Sequence, residues 1–284
     1  MIRCVTNDHL SAGQPTSGWV PPDVDTTRPS AARVYDAYLG GSYNFAVDRE
    51  FVHQAKKLLP HVSDVARWNR TFLRQAVRYA AEEEGITQFL DLGCGLPVSG
   101  AVHEIAGQYQ PDARTVYADN EPVAVAQAEM VLEGDERTRV VHGDVRNPET
   151  ILPTAVEFLD FERPVCVLMV ALLHFLPDSE RPDQLVAQFR DALAPGSLIA
   201  ISHATVDGVP EPVRGQTMDF INSYKDTQNP GFVARDRGEF AALFAGLDLV
   251  DPGITYTPEW RPDVPVTADQ HPEKAVCWAA VGRK

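Results

Sequence analysis

Thr87-Gln88-Phe89-Leu90-Asp91-Leu92-Gly93-Cys94-Gly95-Leu96-Pro97 is the stretch from which the organisation of the chain is read. Phe89, Leu90 and Leu92 form a short apolar run of strand type, closed by glycines. Gly93 and Gly95 allow the chain to leave that strand in a sharp turn, with no Cβ to hold a ligand off the backbone. From about Ser99 onward, Val102, Ile105, Ala106 and Tyr109 recur at helical spacing. Strand, glycine turn and helix begin a nucleotide-binding unit, with backbone N–H groups aimed outward at the helix N-terminus.

Small details separate the candidate ligands. A dinucleotide fingerprint, G-x-G-x-x-G, needs a third glycine for helix–strand packing. This chain has Asp91-x-Gly93-x-Gly95-x-Pro97, with an acid before the turn and no third glycine in place. A carboxylate there attracts a cation and repels a pyrophosphate. An ordinary glycine turn after a strand is the alternative. The acidic pattern resembles the first motif of the class I S-adenosylmethionine (SAM) methyltransferases, whose ligand carries an ammonium and a sulfonium but no phosphate.

Composition bounds the rest. At 284 residues and 44% hydrophobic content, the chain suits one large domain, or one domain with an elaborated N-terminus. A formal charge of −15 counts against a nucleic-acid backbone as partner. No apolar run approaches a membrane span, and the first residues lack a signal-peptide apolar region, so a cytoplasmic location and no membrane partner are expected. Cys4, Cys94, Cys166 and Cys277 form no C-x-x-C pair and read as small buried residues, with no structural metal.

Residues 1–27, rich in Pro, Gly, Thr, Ser and Asp, read as a loosely ordered arm. The segment 28–84 reads as helical. Ser30 is placed to cap a short helix carrying Val34, Tyr35 and Tyr38 and ended by Gly40-Gly41, and Asn44, Phe45 and Asp48 lead into a second helix. Two tyrosines, two glycines and an asparagine so close together suit a lid over a pocket, or equally a surface hairpin docked by its aromatics. Ser63 to Glu84 reads as a long helix stopped by Gly85, with Val65, Trp68, Phe72, Ala76 and Tyr79 on one face. Asn69 and Arg70 sit where they can reach a ligand carboxylate, but a solvated arginine face with Arg67, Arg74 and Arg78 is the preferred reading.

In the domain expected over 85–284, the second strand, Thr115 to Asp119, ends in an acid. A carboxylate at that place can accept both ribose hydroxyls of an adenosyl group, or merely cap the helix begun by Asn120-Glu121-Pro122. Arg139 to Val145 gives a third strand closing in Gly143-Asp144-Val145. Pro164 to Val170 is a continuous apolar run, as in a central parallel strand buried on both faces. It emerges at Ala171-Leu172-Leu173-His174, which places His174 at the ligand edge of the sheet. There it can act as a proton acceptor or only pack. The stretch 205–234, with Met218, Phe220, Tyr224 and Phe232, shapes an acceptor pocket or is a surface excursion. Leu247 to Val250 and Lys274 to Val281 suit an antiparallel hairpin at one sheet edge.

A broader resemblance runs through these segments. Pro29-Ser30, Ala32-Arg33-Val34-Tyr35-Asp36, Leu39-Gly40-Gly41, Asn44-Phe45 and Asp48-Arg49-Glu50 resemble the signature of an actinobacterial family of SAM-dependent methyltransferases, long catalogued as a domain of unknown function. The likeness continues through Ala66 to Arg74, the glycine turn, Val116 to Pro122, Leu172 to Asp178, Ile201 to Ala204 and Trp260-Arg261-Pro262. Cys94 departs from it, since a small or hydroxyl residue is more usual there. The resemblance implies a doubly wound α/β sheet of seven strands, the last antiparallel, with an N-terminal helical lid. It implies SAM as cofactor and S-adenosylhomocysteine as product. The cofactor contacts expected are Arg33, Tyr38, Gly40, Gly41 and Asn44 in the lid; Asp91, Gly93, Cys94 and Gly95 at the turn; and Asp119, Asn120, Asp144, Val145 and Ala171 beyond it. Asp144 is expected at the adenine edge, with Val145 against the ring, or else as a simple turn acid.

The function expected is methyl transfer to an unidentified small-molecule acceptor, with His174 catalytic. The other reading is a catalytically silent SAM-binding protein. A nicotinamide-dependent oxidoreductase is disfavoured by the missing glycine. A nucleic-acid methylase is disfavoured by charge and by Ala171-Leu172-Leu173-His174 standing where an Asn/Asp-Pro-Pro-Tyr/Phe motif would be. A homodimer is left open.

Overall fold

A computed structural model describes residues 24–96 and 100–284. The expected N-terminal arm lies outside the described residues up to residue 23, as do Cys4, Pro97 and Ser99. The strands are β1 (Gln88–Leu92), β2 (Arg114–Asp119), β3 (Thr138–His142), β4 (Cys166–Val170), β5 (Leu198–Ala204), β6 (Asp248–Leu249), β7 (Thr255–Tyr256) and β8 (Cys277–Arg283). They form one sheet in the order β3-β2-β1-β4-β5-β8-β6, with β7 also on β8. The first five are mutually parallel, and β8 is antiparallel to β5, β6 and β7. The order reverses between β1 and β4, which opens a crevice at the strand C-termini.

Seven strands were expected and eight are present, because the outer edge is interrupted. β6 pairs with Arg283 and Gly282, and β7 with Ala279 and Trp278 of the same strand. Between them the chain turns at Asp251-Pro252-Gly253, with Gly253 N–H donating to Val250 O at 2.8 Å.

The helices are α1 (Ala31–Tyr38), α2 (Ala46–Leu58), α3 (Val62–Arg78), α4 (Val102–Tyr109), α5 (Pro122–Val131), α6 (Leu152–Phe158), α7 (Pro182–Ala192), α8 (Val213–Ser223) and α9 (Arg237–Ala242). Strand alternation sorts the core into two layers. Leu90, Leu92, Val167, Met169, Ile199 and Ile201 pack under α6, α7 and α9. Phe89, Cys166, Leu168, Leu198 and Ala200 face α3 and α4. The fold is thus doubly wound. α3 passes into a π-helical turn, Tyr79–Glu83, and the chain turns away at Gly85, whose φ of 65° is left-handed. Phe72, Leu73, Ala76 and Val77 of α3 belong to the sheet core, so only the first part of the 28–84 segment lies over the crevice.

That cover is a third cluster, in which Val34 and Tyr38 of α1, Val52 and Ala55 of α2, and Phe220 and Ile221 of α8 pack together. Ser30 precedes α1 without a side-chain cap; its N–H donates to Asp48 Oδ1 at 3.1 Å. Among the described residues no helix is long and apolar enough to cross a membrane.

Candidate active site

The crevice at the strand C-termini, roofed by α1 and α8, holds a cavity of about 300 Å³. Of the fifteen residues expected at the site, the structure brings eleven to its wall: Tyr38, Asp91, Gly93, Cys94, Gly95, Asp119, Asn120, Asp144, Val145, Ala171 and His174. Arg33, Gly40, Gly41 and Asn44 are not among the residues that line it.

The glycine turn is built as its sequence demands. Gly93 and Gly95 both have φ of 65°, and a Cβ on Gly93 would stand 2.6 Å from Leu172 Cδ1. Asp119 closes the turn from β2: its Oδ2 accepts the Gly95 N–H at 2.7 Å and its Oδ1 the Glu121 N–H at 2.8 Å. The bond to Glu121 lies before the first turn of α5, so Asp119 does not cap that helix. Each carboxylate oxygen still has a lone pair for a hydroxyl. Burial raises the Asp119 pKa, against the two backbone bonds that lower it. Asp144 is also drawn into the site: its Oδ1 accepts the Arg146 N–H at 2.9 Å and its Oδ2 accepts from Asn120 Nδ2 at 3.1 Å. Burial would raise its pKa, but these bonds and the Arg146 charge outweigh it and hold the carboxyl below its ordinary value.

Asp91 is different. It is 5% exposed, and no hydrogen bond from a described residue reaches its carboxyl. Burial pushes its pKa up to about 7; the Arg70 guanidinium lowers it and Asp119 raises it further. A group so poised in a cleft is the mark of a binding site for charge.

Asn69 and Arg70 correct the sequence reading. Asn69 is 3% exposed and Arg70 half-buried, and both line the cavity, whereas Arg67, Arg74 and Arg78 lie away from it. Asn69 belongs to a polar chain across the cavity wall. Ala171 N–H donates to Ser202 Oγ, Ser202 O–H to Asn69 Oδ1, Asn69 Nδ2 to Tyr35 Oη and Tyr35 O–H to Ala66 O. Asn69 shares a helix face with the buried Ala66, Phe72 and Leu73, and its partner Ser202 comes from a strand far along the chain. Ala171 itself has φ of 56°, a strained conformation for a residue with a Cβ, and strain of this kind collects at functional sites.

The four lid residues off the cavity have structural roles. Arg33 is fully buried, its Nε on Asp48 Oδ2 at 2.9 Å and its Nη1 on Glu121 Oε1 at 2.8 Å. Its Nη2 donates to the carbonyls of Asp25 and Arg28, so four of its five N–H groups are engaged within the protein. Asn44 Nδ2 donates to Asp36 Oδ2 at 2.7 Å and to Gly41 O at 2.9 Å. Gly41 packs so closely on Asp36 that a Cβ would lie 1.9 Å from Oδ1. Gly40, with φ of 83°, makes the turn that follows α1. These residues hold the lid together from behind.

Beyond β4 the wall becomes aromatic. His174, 6% exposed, stacks on Phe232 with ring centres 4.6 Å apart and planes at 25°, and meets Phe175 edge-on at 4.5 Å. Burial pushes its pKa well below the ordinary histidine value, and His203 and the Arg235 cation add to the effect. His174 is therefore neutral and a weak base, and its Nδ1 has no partner among the described residues. His203, near the end of β5, is locked beneath: its Nδ1 donates to Ala204 O and its Nε2 accepts from Arg235 Nη1. The 205–234 excursion supplies Thr217, Phe220, Tyr224 and Phe232 to the wall, while Met218 points to solvent.

A doubly wound sheet with an acidic glycine turn, a second acid bound to that turn, and a roofed cavity at the switch point defines a class I methyltransferase architecture. The sequence agrees: residues 17–284 match the family model described as S-adenosyl methyltransferase, and the protein belongs to that family. It is a SAM-dependent methyltransferase. It is similar to a candidate methyltransferase from Thermobifida fusca YX, with 39% identity and a TM-score of 0.87, over 94% of this chain and 99% of the other. It is similar also to a DUF574 family protein from Streptomyces avermitilis MA-4680, with 33% identity and a TM-score of 0.85, over 92% and 99% of the two chains. No curated protein matches the sequence.

The residues present fit SAM. Asp119 offers lone pairs to a ribose, Gly93 and Gly95 leave room for the adenosyl group along the backbone, and the buried Asp91, with no hydrogen bond from a described residue, offers an anion to the ligand's cations.

Proposed function

We propose that this enzyme methylates a small molecule bound beside His174, in the part of the cavity walled by α1, α8 and residues 224–232. The observation that carries the reading is that one roofed cavity joins the acidic glycine turn to the aromatic wall. An acceptor enclosed there is of small-molecule size, and the −15 charge disfavours nucleic acid.

Bound SAM would supply a methyl carbon activated by its sulfonium sulfur; the acceptor's lone pair would displace that sulfur, which keeps the C–S electron pair, and the acceptor's proton would pass to solvent water. Asp119 would hold the ribose hydroxyls, Asp144 the adenine edge with Val145 against the ring, and Asp91 and Arg70 the ammonium and carboxylate. Methyl transfer spreads charge and creates little, so alignment in a dry cavity is the main requirement. His174 suits orientation better than proton removal, because its imidazolium is disfavoured by burial and by Arg235.

Asp119→Ala is expected to weaken SAM binding by about 1–3 kcal/mol, read by calorimetric titration; unchanged affinity would remove Asp119 from the ribose. With methyl-labelled SAM and a size-fractionated cell extract, label is expected in the low-molecular-weight fraction. Label confined to protein or nucleic acid would exclude a small-molecule acceptor.

A further inference from the structure

Two buried polar groups of the cavity wall are left without partners. Tyr38 Oη, in a side chain 4% exposed and beside the Tyr224 hydroxyl, and His174 Nδ1, in one 6% exposed, make no hydrogen bond of ordinary geometry among the described residues. Both residues line the cavity, one from the roof and one from the exit of β4. Buried polar groups in folded proteins are almost always satisfied, so orphans facing an open space point to a ligand that supplies the missing bonds.

Around them the wall is made of rings. Phe175, Phe220, Tyr224 and Phe232 pack with His174 in edge-on, tilted and stacked pairs, with centres 4.5–5.9 Å apart. Such a wall presents both faces and edges to a guest, the two arrangements that aromatic pairs favour.

Charge is the third observation. The ionisable carboxylates and guanidinia of the cavity are Arg70, Asp91, Asp119, Glu121, Asp144 and Arg146, all at the cofactor turn, on α3, or at the ends of β2 and β3. Among the described residues none lines the part formed by α1, α8 and residues 224–232. Arg235, the cation beside His203, is engaged with His203, Asp178 and two backbone carbonyls. An ionised guest would lose its hydration there and gain no counter-ion. A cationic guest would in addition face the sulfonium.

We infer that the methyl acceptor is an uncharged, planar aromatic molecule bearing a hydroxyl or similar hydrogen-bonding group, held among these rings with that group between Tyr38 Oη and His174 Nδ1. This rests on the division of the cavity proposed above. It goes further by excluding carboxylates, phosphates, ammonium compounds and saturated chains as preferred acceptors.

The test uses the intact protein saturated with S-adenosylhomocysteine, titrated calorimetrically with four probes of similar size: 2-naphthol, 2-naphthoate, 2-naphthylmethylammonium and decahydro-2-naphthol. 2-Naphthol is expected to bind about tenfold or more tighter than either ion, and several-fold tighter than the saturated alcohol. Tyr38→Phe, which keeps the ring and removes the hydroxyl, is expected to weaken 2-naphthol about 5- to 10-fold in protein kept saturated with S-adenosylhomocysteine. Equal or tighter binding of an ion or of the saturated alcohol, or no binding of 2-naphthol, would overturn the inference while the cofactor half stands. Failure of S-adenosylhomocysteine itself to bind would instead overturn the division of the cavity.

Discussion

Asp91→Asn is expected to raise the stability of the ligand-free protein at pH 8 and, in the same molecule, to remove most of its affinity for SAM. The carboxyl lies at the end of β1 with no hydrogen bond from a described residue, and burial lifts its pKa to about 7. The sign follows from linkage. The unfolded chain gives up this proton near the ordinary value of 3.8, the folded one only near 7. Below pH 4 both states are protonated and the folded state keeps its full stability. As pH rises from 4 to 7 the folded state must either hold a proton the unfolded chain has released or bury a bare charge. Stability falls over that window by a few kcal/mol, on the order of 1.36 kcal/mol per unit of difference. Asparagine has the same shape and no such slope. The variant should therefore unfold at a higher temperature than the wild type at pH 8, and differ little at pH 4.

Binding runs the other way. SAM brings the cations that the ionised carboxyl lacks, so wild-type affinity should increase from pH 6 to pH 8, and the asparagine variant should lose about 1.5–3 kcal/mol together with this dependence. Thermal unfolding at two pH values and calorimetric titrations decide it. A variant less stable than wild type at pH 8, with affinity still rising with pH, would show that Asp91 is not the group concerned.

Arg33→Met should damage the fold more than any other lid substitution. The guanidinium joins Asp48 and Glu121, all three side chains are buried, and the Phe45 ring lies 5.1 Å from its carbon. Methionine replaces the stem but leaves two buried carboxylates unpaired, for which about 3–5 kcal/mol of stability is lost. Removing all three charges together, in R33M/D48N/E121Q, should recover much of that loss, because amides in those places leave no bare charge. Denaturant unfolding of the single and triple variants provides the measurement; a loss below about 1 kcal/mol in the single variant would mean that the pair carries no weight. A second effect should accompany the first. Glu121 N–H holds Asp119 Oδ1, so Arg33 fastens α1 to the loop that carries the proposed ribose acid. SAM affinity should fall with stability in the single variant.

Much of this site was legible in the sequence because its chemistry is local. Asp91, Gly93 and Gly95 lie within five residues, and a strand, two left-handed glycines and an acid carry their meaning without the rest of the chain. Asp119, Asp144 and His174 follow from the rule that ligands gather at the C-terminal ends of parallel strands. The misreadings concern polar residues whose partners are distant in sequence. Arg33 has the composition of a ligand-binding residue, and only the return of Glu121 to its side, 88 residues on, makes it a structural ion pair. Asn69 reads as solvated beside the arginines that flank it in sequence, but it shares a helix face with the buried Ala66, Phe72 and Leu73, and Ser202, 133 residues on, gives its amide a partner. The aromatic wall was only half visible, since spacing cannot tell Phe220 and Tyr224, which face the cavity, from Met218, which does not.

The polar chain from Ala171 to Ala66 has a direction. Each donor points the same way: from the exit of β4 through Ser202, across the Asn69 amide, through Tyr35 and into α3. Asn69 is where the sense could reverse, and its amide is fixed from both sides, oxygen toward the serine and nitrogen toward the tyrosine. Aspartate has almost the same outline but two acceptors. With it the tyrosine hydroxyl would have to swing round, Ala66 would lose its donor, and the helix over the cavity would no longer sense how the strand ends beneath it. Position 69 thus selects for polarity rather than for size, a one-way connection between the floor of the cavity and its roof.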